Sequence, residues 1–240
     1  MNITIYTTAY NEEKMLPFFL DHYSQFASKI VIYDNESTDD TVQIAKDHPL
    51  VSDIHTIKTG GCVDDSMYID LKSWCWKDDD SDYVMLVDVD ELIYHDNVVN
   101  YLKETKYSAY LPVGYNMISE DFPNLDISIT DQIKDGVFDH MYNKPVIFNP
   151  NIIKDVEYRL GSHKATFYDA DGIVTPIQSE LKMLHYKNVG FDYRLNRHKL
   201  FSKRMSDFNQ KTSSGIHYTW DTKTQKDEFN DILARSERVI

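Results

Sequence analysis

Through the first 95 residues, apolar positions change rhythm between period two and helical spacing. Ile3 to Thr7 alternates and is β-branched, which predicts a strand. Leu16, Phe19, Leu20, Tyr23 and Phe26 share one helical face, so a helix starts near Met15 or Leu16, with Pro17 tolerated in its first turn. Lys29 to Tyr33 predicts a second strand. Ser37, with Asp40 three residues on, predicts a capped helix through Val42, Ile44 and Ala45 that stops before Pro49. Asp53 to Ile57 predicts a short third strand, Gly60-Gly61 a break, Ser66 to Trp76 a helix, and Tyr83 to Val87 a buried strand. Strand and helix alternate three times, the rhythm of a parallel, right-handed α/β sheet.

Beyond residue 95 the pattern loosens. A helix is expected over Asp96 to Lys106 and a strand over Ser108 to Val113, while residues 116 to 145 read as polar and irregular. Strands follow at Lys144 to Phe148, Val156 to Tyr168, Gly172 to Ile177 and Leu181 to Tyr186, with Asp169 to Gly172 as a turn. Phe191 to about Met205 predicts a cation-rich helix, and Thr222 to Val239 an amphipathic one. Between them, Ser213 to Tyr218 has the composition of a loop able to order over a ligand. We expect a single domain over 1–240, with a first half over residues 1–95 and a second over 96–240.

Chemistry concentrates where the buried strand ends. Asp88, Asp90 and Glu91 fall within four residues of Leu86-Val87, at the strand end where α/β sheets bind ligands. Clustered carboxylates are costly to bury unless a cation neutralises them. They therefore point to a divalent site, Mn²⁺ or Mg²⁺ bridging to phosphate oxygens, against the plainer reading of a solvated acidic turn. The formal charge of −14 excludes nucleic acid as a general partner, so an anionic ligand needs a local cationic site. Cys62 and Cys75 are the only cysteines, which argues against a disulfide framework. No signal peptide and no membrane span is read, and a cytoplasmic monomer or homodimer is expected.

Three segments together resemble family-2-type glycosyltransferases of the GT-A fold. Tyr10-Asn11-Glu12-Glu13 resembles that family's first-strand loop. Asp34-Asn35-Glu36-Ser37-Thr38-Asp39-Asp40-Thr41 resembles its second-strand motif, and Asp88-Val89-Asp90-Glu91 its Asp-X-Asp metal motif, in the subgroup where Glu follows. Lys144-Pro145, Gly161-Ser162-His163 and Leu184-His185-Tyr186 are similar to the same subgroup. The resemblance implies a mostly parallel, Rossmann-like central sheet flanked by helices, with a smaller mixed acceptor-side half. It implies a nucleotide-diphosphate sugar donor, UDP-linked, and a glycan, lipid or protein acceptor. Thr8, Tyr10, Asn11, Glu12, Asp34 and Asp88 would contact the donor, with Tyr10 stacked on the base and Asp34 hydrogen-bonded to it. Asp88, Asp90 and His185 would hold the ion. Ala9 and Glu36 depart from the family's usual Thr and Gly, and the stretch after Gly60-Gly61 lacks its Ala-Arg-Asn.

Transfer from such a donor needs positive charge where the diphosphate leaves and a base on the acceptor hydroxyl. Glu91 is a candidate base, although Asp90 and Glu91 would face opposite sides if the strand continued. Asp139 and Glu157 are further candidates, and His163 could bind acceptor or phosphate. Arg194 and Arg197 are three apart and Arg197 and Arg204 seven apart, so one helical face could contact phosphate or simply be solvated. Two other readings stay open: a haloacid-dehalogenase-like phosphatase, and a sugar- or nucleotide-binding module without turnover.

Overall fold

The structure is a computed structural model describing residues 1–240. Its first part follows the expected rhythm: β1 (Ile3–Ala9), α1 (Leu16–Ser24), β2 (Lys29–Asp34), α2 (Thr41–Asp47), β3 (Val51–Thr56), α3 (Asp65–Trp74) and β4 (Tyr83–Leu86). β4, β1, β2 and β3 lie side by side and parallel. Alternation decides what each face buries. Ile3 and Ile5 of β1 and Met85 after Tyr83 of β4 join the core beneath α1, whereas Tyr6, Val84 and Leu86 join a second core with Leu71 of α3.

The second part adds β5 (Glu91–Tyr94), α4 (Val98–Thr105), β6 (Ala109–Ser119), α5 (Ile129–Gln132), β7 (Asp135–Phe138) and β8 (Ile147–Phe148). It continues through β9 (Asp155–Tyr158), β10 (Ala165–Tyr168), β11 (Ile173–Val174) and β12 (Ile177–Val189), then α6 (Phe191–Ser202), α7 (Asp207–Thr212), α8 (Thr222–Arg235) and β13 (Glu237–Arg238). β8 joins β4 antiparallel and carries the sheet on through β6, β7 and β13, while β12 runs parallel to β6 and antiparallel to β5. The expected parallel-core α/β architecture is borne out. β9, β10 and β11 form a separate small antiparallel sheet.

Several boundaries differ from the expectation. The stretch 116–145 holds the end of β6, then α5, β7 and a 3₁₀ turn at His140–Tyr142, so it is not irregular. Val156 to Tyr168 is two strands, β9 and β10, because Gly161 (φ 67°) turns the chain between them. α2 is capped at Asp40 rather than Ser37, whose hydroxyl instead accepts the Asn11 N–H at 2.9 Å. α6 stops at Ser202, so Arg204 leaves the helical face of Arg197. The last helix ends at Arg235, and the residues after it pair with β7 as β13.

Candidate functional site

The carboxyl ends of β1 and β4 face β12 and α6 across a cavity of about 270 Å³. Thr8, Tyr10 and Glu12 line it from β1 and its loop, Asp88 and Asp90 from the turn after β4, His185 and Lys187 from β12, and Arg197 from α6. Tyr142 closes one side, its ring 4.1 Å from that of His185. The 3₁₀ turn carrying Tyr142 can lie this close because Gly114 has no side chain. A Cβ there would stand 2.3 Å from the Tyr142 carbonyl carbon.

Every acid of the cluster has a cationic partner from a distant part of the chain. Lys72 of α3 donates to Asp88 Oδ1 at 2.9 Å, and Lys144 lies 3.5 Å from Asp88 Oδ2. Lys144 also pairs with Glu91, which is fully buried and accepts the Asp88 N–H at 3.1 Å. Arg197 forks between two carboxylates, reaching Asp90 Oδ2 and Glu12 Oε1 at 2.6 Å each. Charge-assisted bonds of this kind are the strong ones, and those to Glu91, Asp90 and Glu12 are shielded from water, whereas Asp88 stays partly exposed.

One guanidinium cannot fully neutralise two buried carboxylates. Burial raises the Glu12 carboxyl to about 8, with Asp90 nearby opposing its ionisation, although Arg197 pulls the other way. Asp90 suffers the same burial, but Arg197 and His185 outweigh it and hold it well below the usual carboxylate range. Asp88 is likewise held low by Lys72 and Lys144 against its burial. Lys187 differs from the other cations: burial and the Arg194 charge push it down to about 8. Burial and the neighbouring Lys187 and Arg194 charges lower His217 to about 3, so its ring is neutral.

The expected residues do not all arrive at the cavity. Thr8, Tyr10, Glu12, Asp88, Asp90, His163, His185 and Arg197 do. Glu91 does not; Asp90 lies in the turn before β5, and Glu91, the first residue of β5, is fully buried and locked by Lys144. Asn11 and Asp34 serve the loops instead. Asn11 (φ 52°) accepts the Thr38 N–H at 2.7 Å, and Asp34 accepts the Ser37 N–H at 3.1 Å. Glu36 adopts φ 61°, which explains why glycine suits that position. Arg194 is buried against Glu228 of α8, so it is not a phosphate contact lining the cavity. Asp139 accepts from Asn116 at 2.8 Å and Glu157 is exposed on β9; neither lines the cavity. Arg204 lies flat on Tyr10, 3.1 Å above the ring centroid, and donates to Asn35 Oδ1 at 2.7 Å.

Residues 4–63 match the model of Glycosyl transferase family 2. No curated protein matches the chain in sequence. Among solved structures it is similar to Staphylococcus aureus TarS residues 1–349, with 13% identity over 97% of this chain and 71% of that one, and a TM-score of 0.47. Against the longer TarS structure it spans 43% of that chain, with 12% identity over 98% of this one and a TM-score of 0.42. It is also similar to Mycobacterium tuberculosis glucosyl-3-phosphoglycerate synthase, solved with Mn²⁺, UDP and glucosyl-3-phosphoglycerate. That match has 19% identity over 48% of this chain and 44% of that one, with a TM-score of 0.31.

Whether these acids suit a divalent ion is decided by the donor set. No group of three or more His, Cys, Asp or Glu side chains converges as a cage. Asp90 Oδ2 and His185 Nε2 do stand 3.4 Å apart. Neighbouring ligands of an octahedral ion with bonds of about 2.1 Å are about 3.0 Å apart. Asn116 sets the ring: its amide nitrogen donates to Asp139, so its oxygen faces His185 Nδ1 at 3.1 Å. An amide oxygen only accepts, so Nδ1 carries the proton and the Nε2 lone pair faces Asp90. Two acceptors that close need a second ring proton or a cation between them. Arg197 already donates to that same Asp90 Oδ2 at 2.6 Å, so an ion held by Asp90 and His185 would share the carboxylate with the guanidinium and take its other ligands from donor phosphates and water. Asp88, held by two lysines, fits a place outside the ion's direct ligands.

Sequence reasoning missed Lys72, Tyr142 and Lys187 as cavity residues, and met His217 and Tyr218 only as part of a loop able to order over a ligand. Lys187 alone left a trace, an alternation with His185 along one strand.

Proposed function

We propose that this protein is a glycosyltransferase that moves a sugar from a UDP-linked donor, with Mn²⁺ or Mg²⁺, to an acceptor hydroxyl presented from the β12 and α6 side. The observation that carries the reading is the meeting of Thr8 and Tyr10, Asp88 and Asp90, and His185 around one cavity, in a chain whose residues 4–63 match the family. Tyr10 offers its ring to the base once Arg204 yields that face. Asp88, braced by Lys72 and Lys144, is oriented toward the ribose. The ion held by Asp90 and His185 would supply positive charge to the departing diphosphate. Arg197 keeps Asp90 ionised and fixes its direction. Tyr142 stacks on His185 and, with Asn116, holds its ring.

The general base comes from groups that line the cavity, which removes Glu91. His163 is placed for it. Its Nδ1 faces the Met141 carbonyl oxygen, leaving Nε2 as the acceptor, and burial with Lys144 lowers its pKa so that the ring is neutral. Ser214, Gly215, His217 and Tyr218 also line the cavity, and their loop would exclude water on closing.

The test is a thermal-shift screen of UDP, GDP and CMP with Mn²⁺, followed by calorimetry on Asp90→Asn. We expect UDP to stabilise the wild type and Asp90→Asn to lose Mn²⁺-supported UDP binding while staying folded. Unchanged affinity in Asp90→Asn, or stabilisation by none of the three nucleotides, would overturn the assignment.

A further inference from the structure

We propose that Lys187 seats an anionic group, phosphate or carboxylate, carried by the acceptor. This rests on the glycosyltransferase reading of the same cavity and adds the class of acceptor.

Among the lysines and arginines lining the cavity, Lys72, Lys144 and Arg197 each bind a carboxylate. Lys187 does not. Its ammonium donates to the Tyr142 hydroxyl at 2.8 Å and has no acid partner. In a chain of charge −14, an ammonium that lines a cleft with no carboxylate in ion-pair contact is available for a ligand's charge. Its surroundings strengthen the point. Arg194, 1% exposed, adds a second positive charge nearby, with Nε and Nη1 unpartnered and only Glu228 against it.

Position assigns that ligand to the acceptor rather than to the donor. Lys187 lies beyond His185 along β12, and its charged neighbours are Arg194, Glu228 and Asp139, all from the second part of the chain, with Asp90 at the border. The donor end is bounded by Lys72, Asp88 and Tyr10. Tyr142 separates the two lysines, with Lys144 Nζ 5.5 Å and Lys187 Nζ 5.3 Å from its ring centroid. His217 lines the same end and, being neutral, adds a hydrogen-bonding ring without a competing charge.

The experiment titrates inorganic phosphate and, separately, acetate into the full chain saturated with UDP and Mg²⁺ at constant ionic strength, following stability and heat. The proteins are wild type, Lys187→Met and Lys187→Arg. We expect at least one anion to bind the wild type, its affinity to fall about tenfold or more in Lys187→Met and to stay within about threefold in Lys187→Arg, with UDP affinity unchanged in all three. The preferred anion identifies the acceptor group. Equal anion binding by Lys187→Met, or no anion binding by the wild type, overturns the proposal. Parallel loss of UDP and anion binding also overturns it, because Lys187 would then serve the donor diphosphate. Should no nucleotide bind, the donor reading fails, and the titrations on free protein still decide whether Lys187 is an anion site. Circular dichroism and Lys187→Arg exclude misfolding as the cause.

Discussion

Replacing Arg197 by Met removes the guanidinium that Glu12 and Asp90 share and keeps most of its apolar stem against Phe201 and Tyr193. Two carboxylate side chains, 6% and 8% exposed, then lose their partner. Breaking a buried pair from one side costs about 3–5 kcal/mol, because the remaining charge stays desolvated. The lower end is expected here, since Glu12 already takes up a proton near pH 8 and can hold it to shed its charge. A loss of about 3 kcal/mol is roughly 6–12 °C in midpoint for a chain of this size. The loss should grow from pH 6 to pH 8.5, because without Arg197 the folded state clings to the Glu12 proton at higher pH than the wild type does. Added Mn²⁺ should restore part of the stability through the vacated face of Asp90 and His185. Urea denaturation of both proteins at the two pH values, with and without Mn²⁺, measures this. A loss below about 1 kcal/mol at pH 8.5, or one independent of pH, would refute the shared-guanidinium account.

Three further outcomes are expected. Glu12 has a raised folded pKa, so the folded state binds the extra proton and wild-type stability falls as pH rises toward 8. The neutral His198 and His217 change stability only below about 6.5, so the difference between Glu12→Gln and wild type over pH 6.5 to 8 isolates Glu12, and Glu12→Gln should be the flatter. Gly114→Ala would drive a methyl into the Tyr142 backbone and should cost about 1–3 kcal/mol in urea denaturation, with a changed near-UV spectrum. Tyr10→Ala should weaken UDP binding by about 1–3 kcal/mol in calorimetry, and an unchanged affinity would place the base elsewhere.

What could be read in advance followed local rules. The alternation of β1, β2 and β4 and the stripe of α1 were plain in the pattern of apolar residues, and so was the acid cluster at the end of β4. The neutralisation of that cluster was not, since Lys72, Lys144 and Arg197 lie 16, 53 to 56 and 107 residues away in sequence from the acids they bind. No periodicity encodes such pairings. Arg194 and Arg197 illustrate the limit: spacing makes them neighbours, yet one turns to α8 and the other into the cavity. Residues 116–145 looked irregular because their short elements are ordered by pairing with β6, not by a repeat of their own.

The lysines on Asp88 have a consequence for anyone recombining this protein. One comes from α3, before the acid, and the other from the segment leading into β8, well after it. A chimera that borrows the C-terminal portion of another protein would carry Glu91 into a scaffold without the Lys144 ammonium, stranding that anion at the seam and leaving Asp88 with Lys72 alone. Domain grafts on this framework therefore have to transplant residue 144 together with Arg197, or neutralise the acids they orphan.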